Sequence, residues 1–217
     1  MFIGHFGVAL AAKQLAPRTS LATLIAAAQT LDILWPLFLL FGLEHYRVAP
    51  GITKVQALDF YDYPFTHSLI MAVVWAAAFA LIYHFVRTYV AGAWTVGGLI
   101  LSHWFLDWIV HRPDLPLLWT GGPKVGLGLW NSWAASIPVE AILFCAGLWI
   151  YLKSTRARDR VGTLALCLLI ALLFLGWLGA LFGPPPPSVH GLAIGALIMW
   201  GIFIPIAGWA DHHRNLR

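Results

Sequence analysis

VAGAWTVGGLILSHWFLDWIVHRPD, residues 90–114, begins with an apolar run long enough to cross a lipid bilayer. A membrane-spanning helix needs about 20 predominantly apolar residues. The second half of this stretch carries His103, Asp107 and His111, each four residues after the last. Residues four apart lie on one face of a helix. The stretch therefore predicts a transmembrane helix with three ionisable side chains along one face.

The composition of the whole chain agrees with a membrane protein. Of its 217 residues 60% are hydrophobic and only 10% are charged, whereas a soluble domain has about 25% charged residues. The net charge of +4 is expected to orient the loops of a membrane protein, not to bind nucleic acid. We predict an all-α, polytopic transmembrane bundle of about six or seven helices in a single domain, residues 1–217.

Apolar segments divide the chain into seven candidate membrane helices. They cover residues 1–16, 21–43, 65–86, 90–110, 132–152, 161–182 and 189–209. The first is short, and whether it spans the membrane is left open. Residues 1–152 are expected to form the core that holds a site, and residues 153–217 to add two further helices. Two connections, residues 44–64 and 111–130, are long for a bundle, and loops of this length are often functional.

Basic residues predict the orientation of the bundle. The segment KSTRARDR, residues 153–160, holds four Lys or Arg residues and should be cytoplasmic by the positive-inside rule. Counting helices from this segment puts the C-terminus in the cytoplasm as well. The N-terminus and both long connections are then expected on the outer side.

Six ionisable side chains of the apolar segments are assigned to the membrane interior, and all map to the outer half of the bilayer: His5, Asp32, His67, His103, Asp107 and Glu140. An unpaired charged carboxylate in mid-membrane costs about 2.5–3.5 kcal/mol, and no Lys or Arg lies at this depth to pair with the acids. A bound cation compensates such carboxylates directly, and imidazoles are natural co-ligands. The pattern predicts a divalent metal, with zinc favoured over manganese or iron. Hydrogen-bonded contacts between helices are the alternative.

Other polar residues have predicted roles around this site. His111 lies about 12 Å from His103 by helix rise, which suits a substrate contact or a second metal. Arg112 and Lys124, in the second long connection, are candidates for binding an anionic headgroup. Glu140 is a candidate ligand, catalytic base or helix contact, and these three roles stay open. In PFTHS, residues 64–68, Thr66 is a candidate helix N-cap.

The order of these motifs resembles the membrane-bound metal-dependent hydrolase family. The motifs are GH at residues 4–5, an acid in the second segment, THS at 66–68 and SHxxxD at 102–107. Members of that family include LexA-regulated proteins of the bacterial inner membrane. The resemblance covers roughly residues 4–130. It implies a hydrolase whose metal is held by the matching positions, which are His5, Asp32, His67, His103 and Asp107.

The chain departs from the family pattern at two positions. Leu34 stands where the family commonly has a second Asp, so a full two-metal site is in doubt. Asp62 stands where HRGxTHS has its His, and a carboxylate there suits the same ions. Asp62 and Glu140 are thus the predicted catalytic residues.

A metal site at this depth favours hydrolysis of a lipid ester or phosphodiester, so the expected partner is a membrane lipid or a lipid-like substrate. Two other classes remain as alternatives: a small transporter or channel for metal ions or protons, and a non-catalytic membrane scaffold. The cytoplasmic half of the helices lacks ionisable residues, which argues against a relay that crosses the membrane.

Overall fold

A computed structural model describes all 217 residues and is predominantly helical. The nine helices are α1 (Ile3–Ala11), α2 (Leu21–Ala28), α3 (Thr30–Leu40), α4 (Pro64–His67), α5 (Leu69–Arg87), α6 (Val90–Val110), α7 (Trp133–Ser154), α8 (Arg160–Phe182) and α9 (Val189–His212). Strands occur only in three two-stranded sheets. The predicted all-α bundle is confirmed.

The chain has the architecture of a multi-pass membrane protein. Five helices, α5 to α9, are long and apolar enough to cross a membrane. Helices α2 and α3 make a sixth candidate span, bent by 58° between them. Large apolar side chains cover the outside of the bundle, and Phe85 and Trp94 are 76% and 78% exposed. Such a surface is expected where helices face lipid.

Helix α1 is too short to span a membrane. Its nine residues rise about 14 Å, less than half of the roughly 30 Å hydrocarbon core. Its first turn starts inside the bundle, because Met1 is buried and its backbone nitrogen lies 2.5 Å from Asp107 Oδ1. Met1 lies at the depth of the ionisable cluster, and the side of the membrane on which the N-terminus lies stays a prediction.

The two long connections form a cap over one end of the bundle, which we call the outer end. Residues 44–64 contain the antiparallel strands β1 (His45–Val48) and β2 (Leu58–Asp62). Residues 111–130 contain β3 (Leu115–Pro116) and β4 (Lys124–Val125). Phe60 of β2 points inward and packs on Trp35 of α3, with ring centroids 5.4 Å apart. The sequence did not predict these strands, which are short and held by contacts with the helices below them.

The opposite end, which we call the inner end, is joined by one buried network. Asp211 of α9 accepts hydrogen bonds from Lys13 Nζ at 2.7 Å, Leu21 N at 3.0 Å and Tyr151 Oη at 3.0 Å. Strands β5 (Thr155–Ala157) and β6 (Arg214–Leu216) pair next to it. The basic segment 153–160 and the C-terminal tail thus share one end of the bundle, as the predicted orientation requires.

Helix α1 packs against α7 at a contact that only glycine permits. A Cβ atom on Gly147 would overlap the carbonyl group of Gly7, and a Cβ on Gly7 would overlap the backbone of α7 at Leu143. Small residues of this kind let helix backbones approach closely in membranes. The contact fixes the depth and rotation of α1, and with them the position of His5.

Candidate metal centre

His103 and Asp107 form the base of the site on one face of α6, as their spacing predicts. Both are buried, and His103 Nε2 lies 3.1 Å from Asp107 Oδ2. His103 Nδ1 lies 2.7 Å from the carbonyl oxygen of Ala28. A carbonyl oxygen can only accept, so Nδ1 carries a proton, and in the neutral imidazole Nε2 then presents a lone pair. A histidine ligand oriented through its second nitrogen in this way is typical of metal sites.

Three other elements bring the remaining predicted ligands to this pair. His5 Nε2 of α1 lies 3.1 Å from Asp107 Oδ1. His67 Nε2 of α4 lies 3.4 Å from Asp32 Oδ1 of α3 and 3.8 Å from Asp107 Oδ2. His103 Nε2 is 3.7 Å from Asp32 Oδ1. All five residues matched to the family pattern are thus brought together in the structure.

The separations between these atoms suit an ion at their centre. In tetrahedral zinc with ligands at about 2.0–2.1 Å, two donor atoms are roughly 3.3 Å apart. The separations from 3.1 to 3.8 Å in the cluster bracket this value. Three of these separations, from 3.4 to 3.8 Å, exceed the usual length of an N–H···O bond.

Two overlapping triads of potential ligands share one residue. His5, His103 and Asp107 form the first, and Asp32, His67 and His103 form the second. Because Nδ1 of His103 is bonded to Ala28, only Nε2 is available, and one imidazole nitrogen binds one ion. The geometry therefore fits a single ion near His103 better than a two-metal centre.

Unpaired nitrogen atoms mark the cluster as incomplete without a further partner. His103 Nε2 and His5 Nδ1 are buried and have no hydrogen-bond partner. A buried polar atom left unsatisfied costs about 1–3 kcal/mol. The two imidazole rings stack with centroids 3.8 Å apart, an arrangement that disfavours a positive charge on both. A cation held by neutral imidazoles would satisfy Nε2 of His103 and compensate Asp32, and it would share Asp107 with the ammonium group of Met1.

A buried chain of hydrogen bonds orients His67. Glu44 Oε1 accepts from the backbone N–H groups of Phe65 and Thr66, each at 2.7 Å. Its Oε2 lies 2.7 Å from Thr66 Oγ1, which lies 2.7 Å from His67 Nδ1. When Glu44 is ionised the Thr66 hydroxyl must donate to it, so this hydroxyl accepts the proton of His67 Nδ1. Nε2 of His67 then faces the cluster as a lone pair.

Burial opposes the ionisation of Glu44. Desolvation raises the pKa of Glu44 to about 7, although its three donors act in the opposite direction. The ionised form, which sets the proton order of the chain, predominates above this pH. Nothing in the sequence pattern identifies Glu44, because it lies alone at the start of a loop, 22 residues before its partner Thr66.

The local structure around Thr66 differs from the predicted N-cap. Helix α4 begins at Pro64 and ends at His67, and the backbone is extended at Ser68, which caps α5 by accepting from Met71 N. Thr66 lies inside α4, where its hydroxyl is free to bond Glu44 and His67. The break between the two helices turns His67 toward the cluster.

Substitutions at Thr66 test this orienting chain. Thr66→Val keeps the shape of the side chain and removes the hydroxyl, so it should weaken zinc binding by about 10- to 100-fold, as loss of such partners does. Thr66→Ser retains the hydroxyl and should stay close to wild type. Competition with a chromophoric chelator measures both affinities. Equal affinities for the Val and Ser variants would contradict the role given to the hydroxyl.

Glu140 acts as a contact between helices and also borders the site. Its Oε2 accepts from the backbone nitrogens of Phe2 at 2.9 Å and Gly4 at 3.4 Å, where α1 begins. A carboxylate at a helix N-terminus satisfies free N–H groups and interacts favourably with the helix dipole. Of the three roles left open by the sequence, the helix contact is present, and the position beside the cavity leaves the role of base as a prediction.

A cavity of about 210 Å³ opens next to the cluster. Its polar end is bordered by Asp32, His67, Asp107, His111 and Glu140, and its other walls are mainly apolar side chains from α8, α9 and the outer cap. Asp32 is the most accessible ligand, with 33% of its side chain exposed. The indole Nε1 atoms of Trp35 and Trp177, which also border the cavity, are buried donors without a partner.

Three predicted residues lie away from this cavity. Asp62 pairs with His45 at 2.8 Å, and its side chain is 44% exposed. Arg112 forms ion pairs with Asp59 and Asp114. Lys124 Nζ donates to the carbonyl oxygen of Tyr61. The structure does not bring them to the metal ligands, so their assigned roles in catalysis and substrate binding stay predictions, and the proposals below do not depend on them.

His111 does border the cavity, together with Tyr63 and Trp130, which sequence reasoning did not identify. The long loops gave no periodic signal for these aromatic residues.

A scan against family models and searches of curated proteins and of solved structures found no match for this chain.

Proposed function

We propose that this chain is a membrane-embedded, metal-dependent hydrolase that acts on a lipid ester or phosphodiester in the outer half of the bilayer. The observation that carries the proposal is a cluster of five side chains, four of them buried, whose donor atoms form two triads of potential metal ligands that share the unpaired Nε2 of His103. Zinc suits this set of nitrogen and oxygen ligands, and manganese or iron is the alternative.

The chemistry follows from what a bound ion and its surroundings supply. A divalent ion lowers the pKa of water and polarises an ester or phosphoryl oxygen. His5, His67, His103, Asp32 and Asp107 would hold the ion. Glu140 borders the cavity, which supports a role as the base that would accept the proton released by the attacking water.

The cavity supports a lipid as the substrate. It joins a polar end at the ligands to apolar walls formed by side chains such as Leu181, Leu192 and Met199. These residues belong to the outer halves of α8 and α9, two candidate membrane spans. No Lys or Arg borders the cavity, so the ion and the free indole N–H groups of Trp35 and Trp177 are the proposed contacts for substrate oxygens.

The structure favours this proposal over transport of metal ions or protons. Below the ligands, toward the inner end, the core consists of buried apolar residues such as Leu10, Leu24, Val96 and Leu99. No histidine or charged residue lies in the helices between the cluster and the Lys13–Asp211 pair. A relay across the membrane would need such groups, and a site reached from one side does not. A non-catalytic scaffold would leave the clustered ligands without a role.

The function is tested with purified protein in detergent micelles. Zinc-loaded protein is mixed with micellar phosphatidylglycerol, and two kinds of product are measured: released fatty acid reports ester cleavage, and diacylglycerol or phosphatidic acid reports phosphodiester cleavage. We expect one of these products from wild-type protein, its loss on treatment with chelator, and its recovery on addition of zinc. Zinc-loaded protein that produces neither, with this lipid or with phosphatidylethanolamine, would contradict the proposal.

The proposed orientation puts the inner end in the cytoplasm of a bacterial cell, with the protein in the inner membrane. Lys54→Cys and Arg158→Cys test it, because both side chains are exposed and lie at opposite ends. In a background with Cys145→Ala and Cys167→Ala, an impermeant thiol reagent should label position 54 in cells with a permeabilised outer membrane and spare position 158. The reverse labelling would contradict the orientation.

A further inference from the structure

We propose that His111, oriented by Asp114, is a second catalytic group that donates a proton from Nε2 to the leaving oxygen of the substrate. This inference rests on the proposed hydrolase function and adds the step that follows attack by water. Asp114 is a positioning residue in this scheme, because it acts through His111.

The imidazole of His111 is held in one orientation by its Nδ1 atom. Nδ1 lies 2.9 Å from Asp114 Oδ1, and an ionised carboxylate only accepts, so Nδ1 carries a proton. Nε2 has no protein hydrogen-bond partner, and His111 borders the cavity beside the metal ligands. The free nitrogen is therefore the atom of this pair that a substrate can reach.

Other groups fix Asp114. Tyr63 Oη donates to Asp114 Oδ1 at 3.3 Å, and Arg112 Nε lies 3.1 Å from Oδ2. Burial, together with the nearby charge of Asp114, raises the pKa of the Tyr63 hydroxyl well above its ordinary value. Tyr63 thus keeps its proton and remains a donor. Arg112, which the sequence suggested as a headgroup contact, belongs to this support.

Aromatic rings enclose the imidazole. The ring centroid of His111 lies 4.3 Å from that of Trp130 and 5.3 Å from that of Phe60. These contacts prevent rotation of the ring and shield the Asp114 pair from water. A catalytic group whose rotamer is fixed by packing and by a hydrogen-bonded carboxylate is pre-organised for proton transfer.

The position of His111 along α6 suits an acid that acts opposite the ion. It follows Asp107 by four residues, which corresponds to about 6 Å along the helix axis. Both residues border the same cavity. A substrate with its acyl or phosphoryl oxygen at the ligands can therefore direct its leaving oxygen toward His111.

The step balances as a general acid-catalysed hydrolysis. The oxygen of water forms a bond to the acyl carbon or phosphorus, and the bond from that atom to the leaving oxygen breaks. The leaving oxygen keeps the electron pair and takes the Nε2 proton of the His111 imidazolium, which becomes neutral with Nδ1–H still bonded to Asp114. The proton lost by the attacking water restores the imidazolium, so the net reaction consumes one water.

A purely structural role for the pair is the competing explanation. His111 ends α6, and its carbonyl oxygen accepts from Gly128 N at 2.7 Å, so the pair also anchors the second long connection. Loss of an anchor would lower stability and affect all substrates equally. Loss of a general acid affects only substrates whose leaving group needs a proton.

Two matched pairs of substrates separate these roles. The first pair is the 4-nitrophenyl ester and the octyl ester of octanoic acid. The second pair is 4-nitrophenyl octyl phosphate and dioctyl phosphate. In zinc-loaded protein, His111→Gln should slow cleavage of the octyl member of the active pair by about 100-fold or more. Cleavage of the 4-nitrophenyl member should fall less than about tenfold, because 4-nitrophenolate leaves without a proton. Zinc content should not change.

Asp114→Asn should give the same selective loss, since an amide favours the wrong imidazole tautomer. The Asp114→Asn variant also provides the test if the His111→Gln variant does not fold. Equal losses on both members, or loss of zinc from either variant, would overturn the role of His111 and leave the hydrolase proposal intact. Wild-type protein that binds zinc and cleaves none of the four substrates would overturn both proposals.

Discussion

Replacement of His103 by Ala is expected to remove nearly all bound zinc. Wild-type protein purified without chelator should carry about one ion per chain, and His103→Ala less than about a tenth of that, because metal binding is coupled to the complete set of ligands. His103 belongs to both triads of potential ligands, and no other nitrogen lies in position to replace its Nε2. Elemental analysis of the purified proteins measures the content.

His190→Ala is the matched control for this variant. His190 is exposed at the outer end of α9, so its removal should leave the zinc content at the wild-type level and change stability by less than about 0.5 kcal/mol. Equal zinc content in both variants would show that His103 is not a ligand and would contradict the assigned centre.

Gly147→Val is expected to separate α1 from α7. The added side chain would meet the backbone of Gly7, which cannot move aside as a flexible side chain can. Overpacking typically costs 1–3 kcal/mol, so we expect a loss of about 3 kcal/mol and a fall in melting temperature on the order of 10 °C. Zinc affinity should fall as well, because α1 carries His5 and begins at the carboxylate of Glu140.

Gly201→Val separates this effect from the general cost of valine in a helix. Gly201 lies in α9 with open space where its Cβ would be, so a valine there should change melting temperature by only a small amount and leave zinc binding unaltered. Similar losses for both variants would mean that the α1–α7 contact does not hold the site together.

The sequence predicted the helices well because their signal is local. Four of the seven apolar segments, residues 90–110, 132–152, 161–182 and 189–209, each became one helix within a few residues of the expected limits, and the pair His103 and Asp107 followed directly from helix periodicity. Segment 21–43 is divided between α2 and α3, segment 65–86 between α4 and α5, and segment 1–16 is helical only over Ile3–Ala11. The sequence also predicted that His5, Asp32 and His67 lie at a similar depth in the membrane, because this depth follows from counting residues along each segment. These features depend on length and spacing, which a sequence displays.

The remaining features depend on contacts between distant segments. Glu44 reaches His67 through Thr66 only because α4 folds back over the end of α3. The sequence placed Asp62 at a position equivalent to a ligand, yet strand pairing with His45 directs it to the surface. Arg112 was predicted to meet substrate, whereas it pairs with Asp59 and Asp114 in the outer cap. Periodicity carries no information about such pairings.

The short length of α1, less than half of a membrane span, was the least predictable feature of the site. Residues 1–16 are predominantly apolar, and composition alone does not show where a helix begins in the membrane. The close contact at Gly7 and Gly147 and the bonds from α1 to Glu140 set this depth. They bring His5 against His103, which no count of residues could have established.

X-ray absorption at the zinc edge tests the central claim that these five side chains hold one ion. The account predicts a first shell of only nitrogen and oxygen at about 2.0–2.2 Å, with outer-shell scattering from imidazole that diminishes in the His103→Ala variant. A shell containing sulfur at about 2.3 Å, or an imidazole signal unchanged by loss of His103, would contradict it.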